Sequence, residues 1–214
     1  MTSRTDQNGN ATTLTYDRRN LLITEEDPAT FAIHHEYDGN GNRTAFVDQA
    51  GFRRTFVYDA LNRKVAETDA ETAETTWVYD ANGNETSMTD AEGFAWTKTW
   101  DARNRLLTQI DPLTNTKSFL YDKAGNLIRF TDERGKATNF EYDLLNRQTR
   151  MVDAENGIWV TAYDPEGNVV STTDALSRVR TAVYDALNRV TSQSDASGVN
   201  ETFTYDVLGN VLTA

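Results

Sequence analysis

One short phrase recurs ten times in this chain at a fixed interval of 21 residues: an aromatic residue, an aspartate, two variable residues and then Gly or Asn. It reads Y-D-G-N-G-N at Tyr37, Y-D-A-L-N-R at Tyr58 and Y-D-A-N-G-N at Tyr79, with no insertion between any two copies. A period of this length is typical of repeat architectures, in which each repeat buries its apolar face against its neighbours. The spacing therefore predicts a single array over residues 1–214.

Two turns are predicted in each repeat. We number the aromatic residue as position 1, and an aspartate then stands at positions 2 and 12 of every repeat. Three residues after each aspartate, positions 5 and 15 carry Gly, Asn, Thr or Ser, a spacing typical of a type I turn that ends in a left-handed residue. The prolines agree, since Pro28, Pro112 and Pro165 directly follow a turn aspartate, where their fixed φ suits such a turn. The signature pairs at positions 1 and 2 are Tyr16, Asp17, Tyr37, Asp38, Tyr58, Asp59, Tyr79, Asp80, Trp100, Asp101, Tyr121, Asp122, Tyr142, Asp143, Tyr163, Asp164, Tyr184, Asp185, Tyr205 and Asp206.

The stretches between the turns have strand composition. Positions 17 to 22 and 7 to 11 are rich in Thr, Val and aromatic residues, as in R-R-T-F-V-Y at 53–58 and R-T-A-F-V at 43–47. Position 22 is the aromatic residue that begins the next repeat. Strand alternation places positions 18, 20 and 22 on one face, which we expect to be a packed and buried aromatic stripe. No segment has the apolar spacing of a helix. The predicted fold is therefore all-β, an array of about ten antiparallel β-hairpins.

About 20 strands at a spacing of roughly 4.8 Å form a sheet wide enough that it must curl. Two arrangements satisfy this requirement: an open, curved or spiralling wall, and a ring or barrel whose ends meet. Neither end of the sequence departs from the repeat, and neither resembles the polar cap that a solenoid needs. We therefore expect either a piece of a longer array or a closed ring.

A longer period is superimposed on the first. Position 5 alternates strictly between Asn and Gly, and position 6 alternates between Arg and Asn, with Leu21 as the exception. The full period is therefore 42 residues, or two hairpins. Two explanations are open: neighbouring turns interdigitate, with a bulky Arg beside a small Gly, or the chain arose by duplication of a two-hairpin segment.

Composition excludes several functions. With 21 Lys and Arg against 33 Asp and Glu, the net charge is −12, and no basic cluster occurs, which argues against binding to nucleic acid or anionic lipid. The absence of cysteine excludes disulfides and thiolate metal sites. The first ten residues are polar and do not form a signal peptide. No apolar run approaches the 18 residues of a membrane span.

No catalytic or metal site is predicted. The aspartates could suggest calcium, but Ca²⁺ needs six to eight converging oxygens, whereas capping of the turn backbone explains both columns of aspartates. His34 and His35 are adjacent and would point to opposite faces of a strand, so they cannot share a metal. We see no nucleophile with a base and no phosphate loop, and we expect a protein that is not an enzyme and uses no cofactor.

Trp96 and Trp159 are the candidates for stacking on a ligand such as a sugar. They share the predicted face of the tyrosine column, which favours a packing role instead. The alternative function that they suggest is a hairpin solenoid that binds surface glycans or the cell wall.

The signature residues resemble the YD repeat of the RHS family, in which Y-D-x-x-G-R/N is followed by a β-branched position and then D-x-x-G. All ten repeats match at the aromatic residue and the aspartate, and the resemblance covers essentially the whole chain. It implies a bacterial polymorphic-toxin or Tc-toxin protein, or more distantly a teneurin. It further implies a non-catalytic part of a β-shell that encloses or displays a toxin. Its partners would be the rest of the shell and the toxin domain, and it would be secreted or displayed at the cell surface after synthesis in the cytoplasm.

Overall fold

The computed structural model of the chain describes residues 2–7, 11–198 and 200–213. These residues form only strands and turns, so they include no helical segment that could cross a membrane. The chain divides into an N-terminal half, residues 1–106 and 110–114, and a C-terminal half, residues 107–109 and 115–214.

The described residues of the N-terminal half form ten complete strands. They are β1 (Thr2–Thr5), β2 (Ala11–Tyr16), β3 (Leu22–Glu26), β4 (Ala32–Tyr37), β5 (Arg43–Val47), β6 (Arg53–Tyr58), β7 (Lys64–Thr68), β8 (Glu74–Tyr79), β9 (Glu85–Thr89) and β10 (Ala95–Trp100). The strand β11 (Leu106–Ile110) is divided between the two halves.

The remaining strands lie in the C-terminal half. They are β12 (Thr116–Tyr121), β13 (Leu127–Thr131), β14 (Ala137–Tyr142), β15 (Gln148–Val152), β16 (Ile158–Tyr163), β17 (Val169–Thr173), β18 (Val179–Tyr184), β19 (Val190–Ser194), β20 (Asn200–Thr202), β21 (Thr204–Tyr205) and β22 (Val211–Thr213). Phe203 separates β20 from β21, so the six-residue strand of the other repeats is divided here, although the Phe203 N–H still donates to the Thr191 carbonyl at 2.9 Å.

Within each half, every strand pairs antiparallel with the strand before or after it in the chain, which confirms the predicted all-β series of hairpins. In the described part of the N-terminal half, β1 pairs only with β2, and β10 is not its partner. In the C-terminal half, β22 pairs with β21 and not with β12. The strands β21 and β22 form a separate two-stranded sheet, the larger sheet is open within each half, and a ring closed within either half is excluded.

The two turns of each repeat follow the predicted pattern. In the first turn of one repeat, the Asp59 N–H donates to the Arg63 carbonyl at 2.9 Å and the Asn62 N–H donates to the Asp59 carbonyl at 3.0 Å. The Asp59 Oδ1 also accepts from the N–H groups of Leu61 and Arg63 at 2.9 and 3.0 Å. Asp48 makes the same four bonds in a second turn. The carboxylate thus satisfies turn donors that would otherwise lack partners, as the capping interpretation predicted.

The residue that ends each turn is left-handed, as predicted. At position 5, five asparagines have φ between 58° and 63°, and the alternating glycines have φ between 89° and 111°. Position 15 is left-handed even where it is threonine, with φ of 67°, 69° and 67° at Thr30, Thr72 and Thr114. A β-branched residue is strained in this region, so these three turns form at a local cost.

A bulge in each first-turn hairpin decides which side chains share a face. In β6 and β7, Val57 is opposite Ala66, but the next pair is Tyr58 and Lys64, so one tyrosine faces two residues of the partner strand. The bulge turns position 7 towards the aromatic residues, and the Lys64 ammonium accordingly lies 4.2 Å from the centre of the Trp77 ring. We call the side with positions 1, 7, 10, 18 and 20, such as Tyr58, Lys64 and Trp77, the aromatic face.

The aromatic face is half-buried, which differs from the buried stripe expected from the sequence. Among the described residues, only Ala45 and Ala66 are buried, with 0% and 9% of their surface exposed, and both lie on the opposite side of the sheet at position 9. The described elements of each half provide one layer of sheet, so the aromatic side chains are covered mainly by their neighbours along the face. Each described aromatic ring therefore stays partly exposed to solvent.

Candidate functional site

The side chains that recur in every repeat lie at the junctions between successive hairpins. The first junction contact is made by the position 1 aromatic residue, whose polar atom donates to the carbonyl of position 7 in the preceding repeat. The Tyr79 hydroxyl, for example, donates to the Lys64 carbonyl at 3.0 Å. The same bond joins Tyr37 to Leu22, Tyr58 to Arg43, Tyr142 to Leu127, Tyr163 to Gln148, Tyr184 to Val169 and Tyr205 to Val190.

Trp100 makes this contact by different chemistry. Its indole Nε1–H donates to the Glu85 carbonyl at 2.8 Å, so it reaches the same acceptor as a tyrosine hydroxyl would. Both side chains combine a large apolar body with a single donor at the far end. The requirement at position 1 is therefore a ring with a donor rather than an aromatic ring alone.

The second junction contact is made by the arginine at position 6 in alternate repeats. The Arg63 guanidinium binds Asp59 in its own turn, with Nη2 and Oδ2 2.7 Å apart. Its Nη1 donates to the Asp80 carbonyl in the next repeat at 3.1 Å, and its carbon lies 4.7 Å from the centre of the Tyr79 ring. Arg147 and Arg189 repeat this arrangement over Tyr163 and Tyr205, at 4.5 and 4.4 Å.

The third junction contact is made by asparagines in the other repeats. The Asn84 Nδ2 donates to Asp80 Oδ2 at 2.9 Å and to Asn104 Oδ1, at position 5 of the next repeat, at 2.8 Å. The same asparagine bridge joins Asn42 to Asn62, Asn126 to Asn146 and Asn168 to Asn188. The amide Nδ2 of each bridging asparagine faces the aspartate, because an amide NH2 group donates and an ionised carboxylate only accepts.

These two contacts alternate with the 42-residue period. A Cβ built on Gly83 would lie 3.8 Å from Arg63 Nη1, so the arginine of one turn lies directly against the glycine of the next. The asparagine at position 5 of the following repeat supplies the acceptor for the asparagine bridge. The two junction types therefore alternate along the chain, and interdigitation of neighbouring turns stays a prediction beside duplication of a two-hairpin segment.

The exception at position 6 is compensated within the same turn. Leu21 cannot bind the aspartate, but Arg19, two residues earlier, places Nε 3.0 Å from Asp17 Oδ2 and donates from Nη1 to the Asp38 carbonyl at 2.5 Å. These are the two acceptors that Arg63 uses in its own repeat. The arginine contact between hairpins is thus present although its position in the sequence has moved.

The junction contacts also set the ionisation of the first-turn aspartates. Hydrogen bonds from the side chain at position 6 are the main reason that the pKa is below its usual value at Asp38, Asp59, Asp80, Asp101, Asp122, Asp164, Asp185 and Asp206. Backbone N–H groups of Leu21 and Arg147 make the largest contribution to the lowered pKa of Asp17 and Asp143. The carboxylates remain charged acceptors for the N–H groups and the position 6 side chain of their own turn, while the aspartate backbone carbonyl accepts from the neighbouring hairpin.

The two tryptophans considered for ligand stacking lie on the aromatic face. Trp96 stands opposite Met88, and Trp159 stands opposite Met151, and both indoles are half-buried. The structure thus places them among other apolar side chains of the face. Their role as ligand contacts stays a prediction.

The histidines are separated as the sequence predicts. His34 is exposed, with Nδ1 3.3 Å from the Thr24 hydroxyl, whereas the His35 ring packs 5.6 Å from the Phe46 ring. The His35 Nδ1 is buried and has no hydrogen-bond partner. Burial lowers the pKa of His35, and the charge of Arg43 lowers it further. Within the described residues, no group of three His, Cys, Asp or Glu side chains could hold a metal ion.

One open cleft of 390 Å³ lies in the C-terminal half, on strands β17 to β20. It forms where position 20 carries Ala182 instead of an aromatic residue, and its lining includes Arg180, Gln193 and Glu201. Gln193 donates to Glu201 across it at 2.6 Å. Two hydroxyls of the lining, those of Thr181 and Ser194, lie 2.8 Å apart and share a hydrogen bond.

Comparison with protein families shows what this arrangement is similar to. The family model described as RHS Repeat matches residues 37–74, 79–116, 121–158, 163–198 and 184–214. The first four matches begin 42 residues apart, each at the start of a repeat with glycine at position 5. The two-hairpin period found in the junction contacts is therefore also the period of the family model. None of the curated proteins is similar enough in sequence to count as a match.

A solved structure with a TM-score above 0.5 shows the same fold. The crystal structure of TcdB2-TccC3-TEV resembles 95% of this chain and 13% of its own chain, with a TM-score of 0.64 and 17% identity. The Photorhabdus luminescens Tc holotoxin pore and TcdB2-TccC3 without its hypervariable C-terminal region each reach a TM-score of 0.44, at 16% and 17% identity, over 16% of their chains. This chain spans 13% to 16% of the length of these proteins. At this identity the likeness concerns the fold alone.

Proposed function

Because the chain belongs to the RHS repeat family, we propose that it is a non-catalytic structural segment of an RHS-type protein. In that protein it forms part of the wall of a β-shell that encloses or displays a toxin. The fold that it shares with TcdB2-TccC3-TEV supports this proposal. Its partners are further repeats of the shell and an enclosed toxin domain, and the assembled protein acts outside the bacterium that makes it.

The main support for the proposal is that the polar signature residues bind to other residues of the array. The tyrosine donor, the arginine and the asparagine at position 6 and the aspartate all bond to the neighbouring hairpin or to their own turn. A catalytic site needs polar groups left free to meet a substrate, whereas here each repeat adds a copy of the same junction. The product of such a sequence is a wall that lengthens by one hairpin at a time.

Protection of an enclosed segment tests this function. The RHS-type protein that contains this array is treated with a protease at native conditions, and its toxin segment is followed by immunoblot. We expect that segment to resist cleavage in the parent protein. The variant with Arg63→Ala, Arg147→Ala and Arg189→Ala should expose it, because three arginine junctions are lost.

The matched control replaces arginines that make only exposed ion pairs, Arg53→Ala and Arg150→Ala, and it should keep the protection. Equal cleavage of the toxin segment inside and outside the parent protein would contradict the shell function. Saturable binding of the purified chain to peptidoglycan fragments, lost on Trp159→Ala, would favour glycan binding instead.

A further inference from the structure

A row of exposed phenylalanines runs along one edge of the N-terminal half. The second turns of four successive repeats end at position 16 with Phe31, Phe52, Ala73 and Phe94. The three rings are 56%, 61% and 52% exposed, respectively. Turns at the same end of neighbouring hairpins are two strands apart, or roughly 9.6 Å. We call this edge, residues 27–31, 48–52, 69–73 and 90–94, the second turn row.

The second turn row is acidic as well as apolar. Its four turns contain six carboxylates and no Lys or Arg: Asp27, Asp48, Asp69, Asp90, Glu71 and Glu92. Two copies of this edge would repel one another. Exposed aromatic rings of this number usually mark a surface that another protein covers. The covering surface must therefore differ from the second turn row in charge.

The opposite edge of the same half does not have this excess of negative charge. We call residues 17–21, 38–42, 59–63, 80–84 and 101–105 the first turn row, in which five arginines balance five aspartates. Leu61 projects from the middle of this row and is 66% exposed. Its neighbours at position 4 are Asn40 and Asn82, which are smaller and polar.

The two rows match in spacing, and only the second turn row carries a net charge. Both repeat every two strands, so a contact made at one turn is followed by a contact at the next. Ala73 leaves a gap in the phenylalanine row, flanked by Phe52 and Phe94. Leu61 of another chain can enter this gap, with its two asparagine neighbours over the two rings.

We propose that the second turn row of one chain binds the first turn row of a second copy of this chain. The contact joins different surfaces, so it is heterologous and can add further copies in series. Four turns at this spacing and about 10 Å of sheet thickness give roughly 400 Å² on each partner, about half of a standard interface. The association is therefore weak and reversible. It depends on the edges of this chain and not on the proposed shell function.

Sedimentation velocity of the whole chain over increasing concentration tests the proposal. The average sedimentation coefficient of the parent chain should rise with concentration. The variant with Phe52→Ser and Phe94→Ser, and separately Leu61→Ser, should each associate about tenfold more weakly. The matched control, Val57→Thr with Val78→Thr, removes side chains that are 53% and 56% exposed but lie on a face of the sheet, and it should associate like the parent.

Mixing the two edge variants gives the sharper result. The phenylalanine variant keeps an intact first turn row, and the Leu61→Ser variant keeps an intact second turn row. Their mixture should form a dimer that grows no further, while each variant alone stays mostly monomeric at the concentration at which the parent chain associates. The proposal is overturned if the parent chain is monomeric at high micromolar concentration, if association survives the phenylalanine substitutions, or if the mixture fails to pair. Circular dichroism confirms that each variant is folded.

Discussion

The guanidinium carbon of Arg63 lies 4.7 Å from the centre of the Tyr79 ring in the following hairpin, and Nη1 of the same side chain donates to the Asp80 carbonyl. One side chain therefore joins the aspartate of its own turn to the ring and the backbone of the next. The contact recurs at 42-residue intervals and distinguishes one type of junction from the other.

Removal of this arginine should weaken the array. We expect Arg63→Ala to lower the free energy of unfolding by about 1 to 2 kcal/mol, because a cation–π contact and a charged hydrogen bond are both lost. Urea denaturation measures the change. Arg53→Ala is the matched control, since Arg53 makes only an exposed ion pair with Glu36, and its midpoint should equal that of the parent. A similar loss in both variants would show that the junction contributes nothing beyond surface charge.

The donor at position 1 can be tested at Trp100. Trp100→Tyr keeps a donor at the end of an aromatic ring, whereas Trp100→Phe does not and leaves the Glu85 carbonyl without this partner. The two replacements are nearly the same size. We expect Trp100→Phe to be less stable than Trp100→Tyr by about 0.5 to 1.5 kcal/mol, measured by chemical denaturation. Equal stabilities would mean that the ring alone matters.

The two junction types predict which deletions the array tolerates. Removal of residues 58–99, two repeats, leaves an asparagine junction intact between Asn42 and Asn104. Removal of residues 79–99, one repeat, brings Asn104 against Arg63, in the position that Gly83 normally occupies. We therefore expect the shorter deletion to give the lower thermal midpoint, although it removes fewer hairpins. Midpoints that simply follow the number of repeats would contradict this account.

Mild acid should destabilise the fold through His35. Its pKa is lowered in the folded state, mainly by burial. The neutral ring therefore contributes stability above its unfolded pKa of about 6.5, and this contribution is lost as the pH falls through the lower folded value. Arg43, Glu25 and His34 are the charged or titratable groups around it. The chain has two histidines, so few side chains other than His34 and His35 titrate in this pH range.

Thermal unfolding between pH 7.5 and pH 5 measures this loss of stability, because histidine side chains change their charge in this pH range. We expect the parent to lose stability over this interval and His35→Phe to lose less, because phenylalanine fills the same site on the aromatic face without a charge. His34→Phe is the matched control at the exposed neighbour and should keep the dependence of the parent. An unchanged dependence in His35→Phe would exclude His35 as the source.

The strained threonines offer a stabilising substitution. Thr72 has φ of 69°, a conformation that costs an L residue about 1 to 2 kcal/mol, while glycine loses about 0.5 to 1 kcal/mol of chain entropy. Thr72→Gly should thus raise the free energy of unfolding by about 0.5 to 1 kcal/mol. The converse change, Gly51→Thr, should lower the free energy of unfolding, because φ there is 84°. No atom lies within 4 Å of the added Cβ, so backbone strain and not a steric clash would cause the loss. Denaturation midpoints that move the other way would contradict the strain argument.

The local features of the fold could be predicted from the sequence because each depends on a few adjacent residues. The aspartate, the left-handed residue three positions later and the prolines specify each turn without reference to the rest of the chain. The strands follow from composition between those turns. The family resemblance agreed with this local reading, and the RHS Repeat match confirms it.

The junction contacts could not be predicted because they depend on how one hairpin lies against the next. The acceptor of the Tyr79 hydroxyl is a carbonyl 15 residues earlier, and its position depends on the bulge beside Tyr58. The loss of arginine at Leu21 was visible in the sequence, but its replacement by Arg19 was not, since only the structure shows that both side chains reach the same acceptors. The extent of burial also differed, because the pattern of a face does not reveal whether a second layer covers it.

The direction of these contacts has a consequence for synthesis. The tyrosine of a hairpin, such as Tyr79, donates to the hairpin synthesised before it. Arg63 instead contacts Tyr79 and Asp80 of the hairpin synthesised after it. A ribosome adds 21 residues in about 1 to 4 s, while a hairpin forms in about 1 to 10 μs. Each hairpin therefore has time to dock on its predecessor before the next one is made, and it completes the arginine or asparagine contact left open there. The array grows from its N-terminus with one unfinished junction at its tip, which always lies nearest the ribosome.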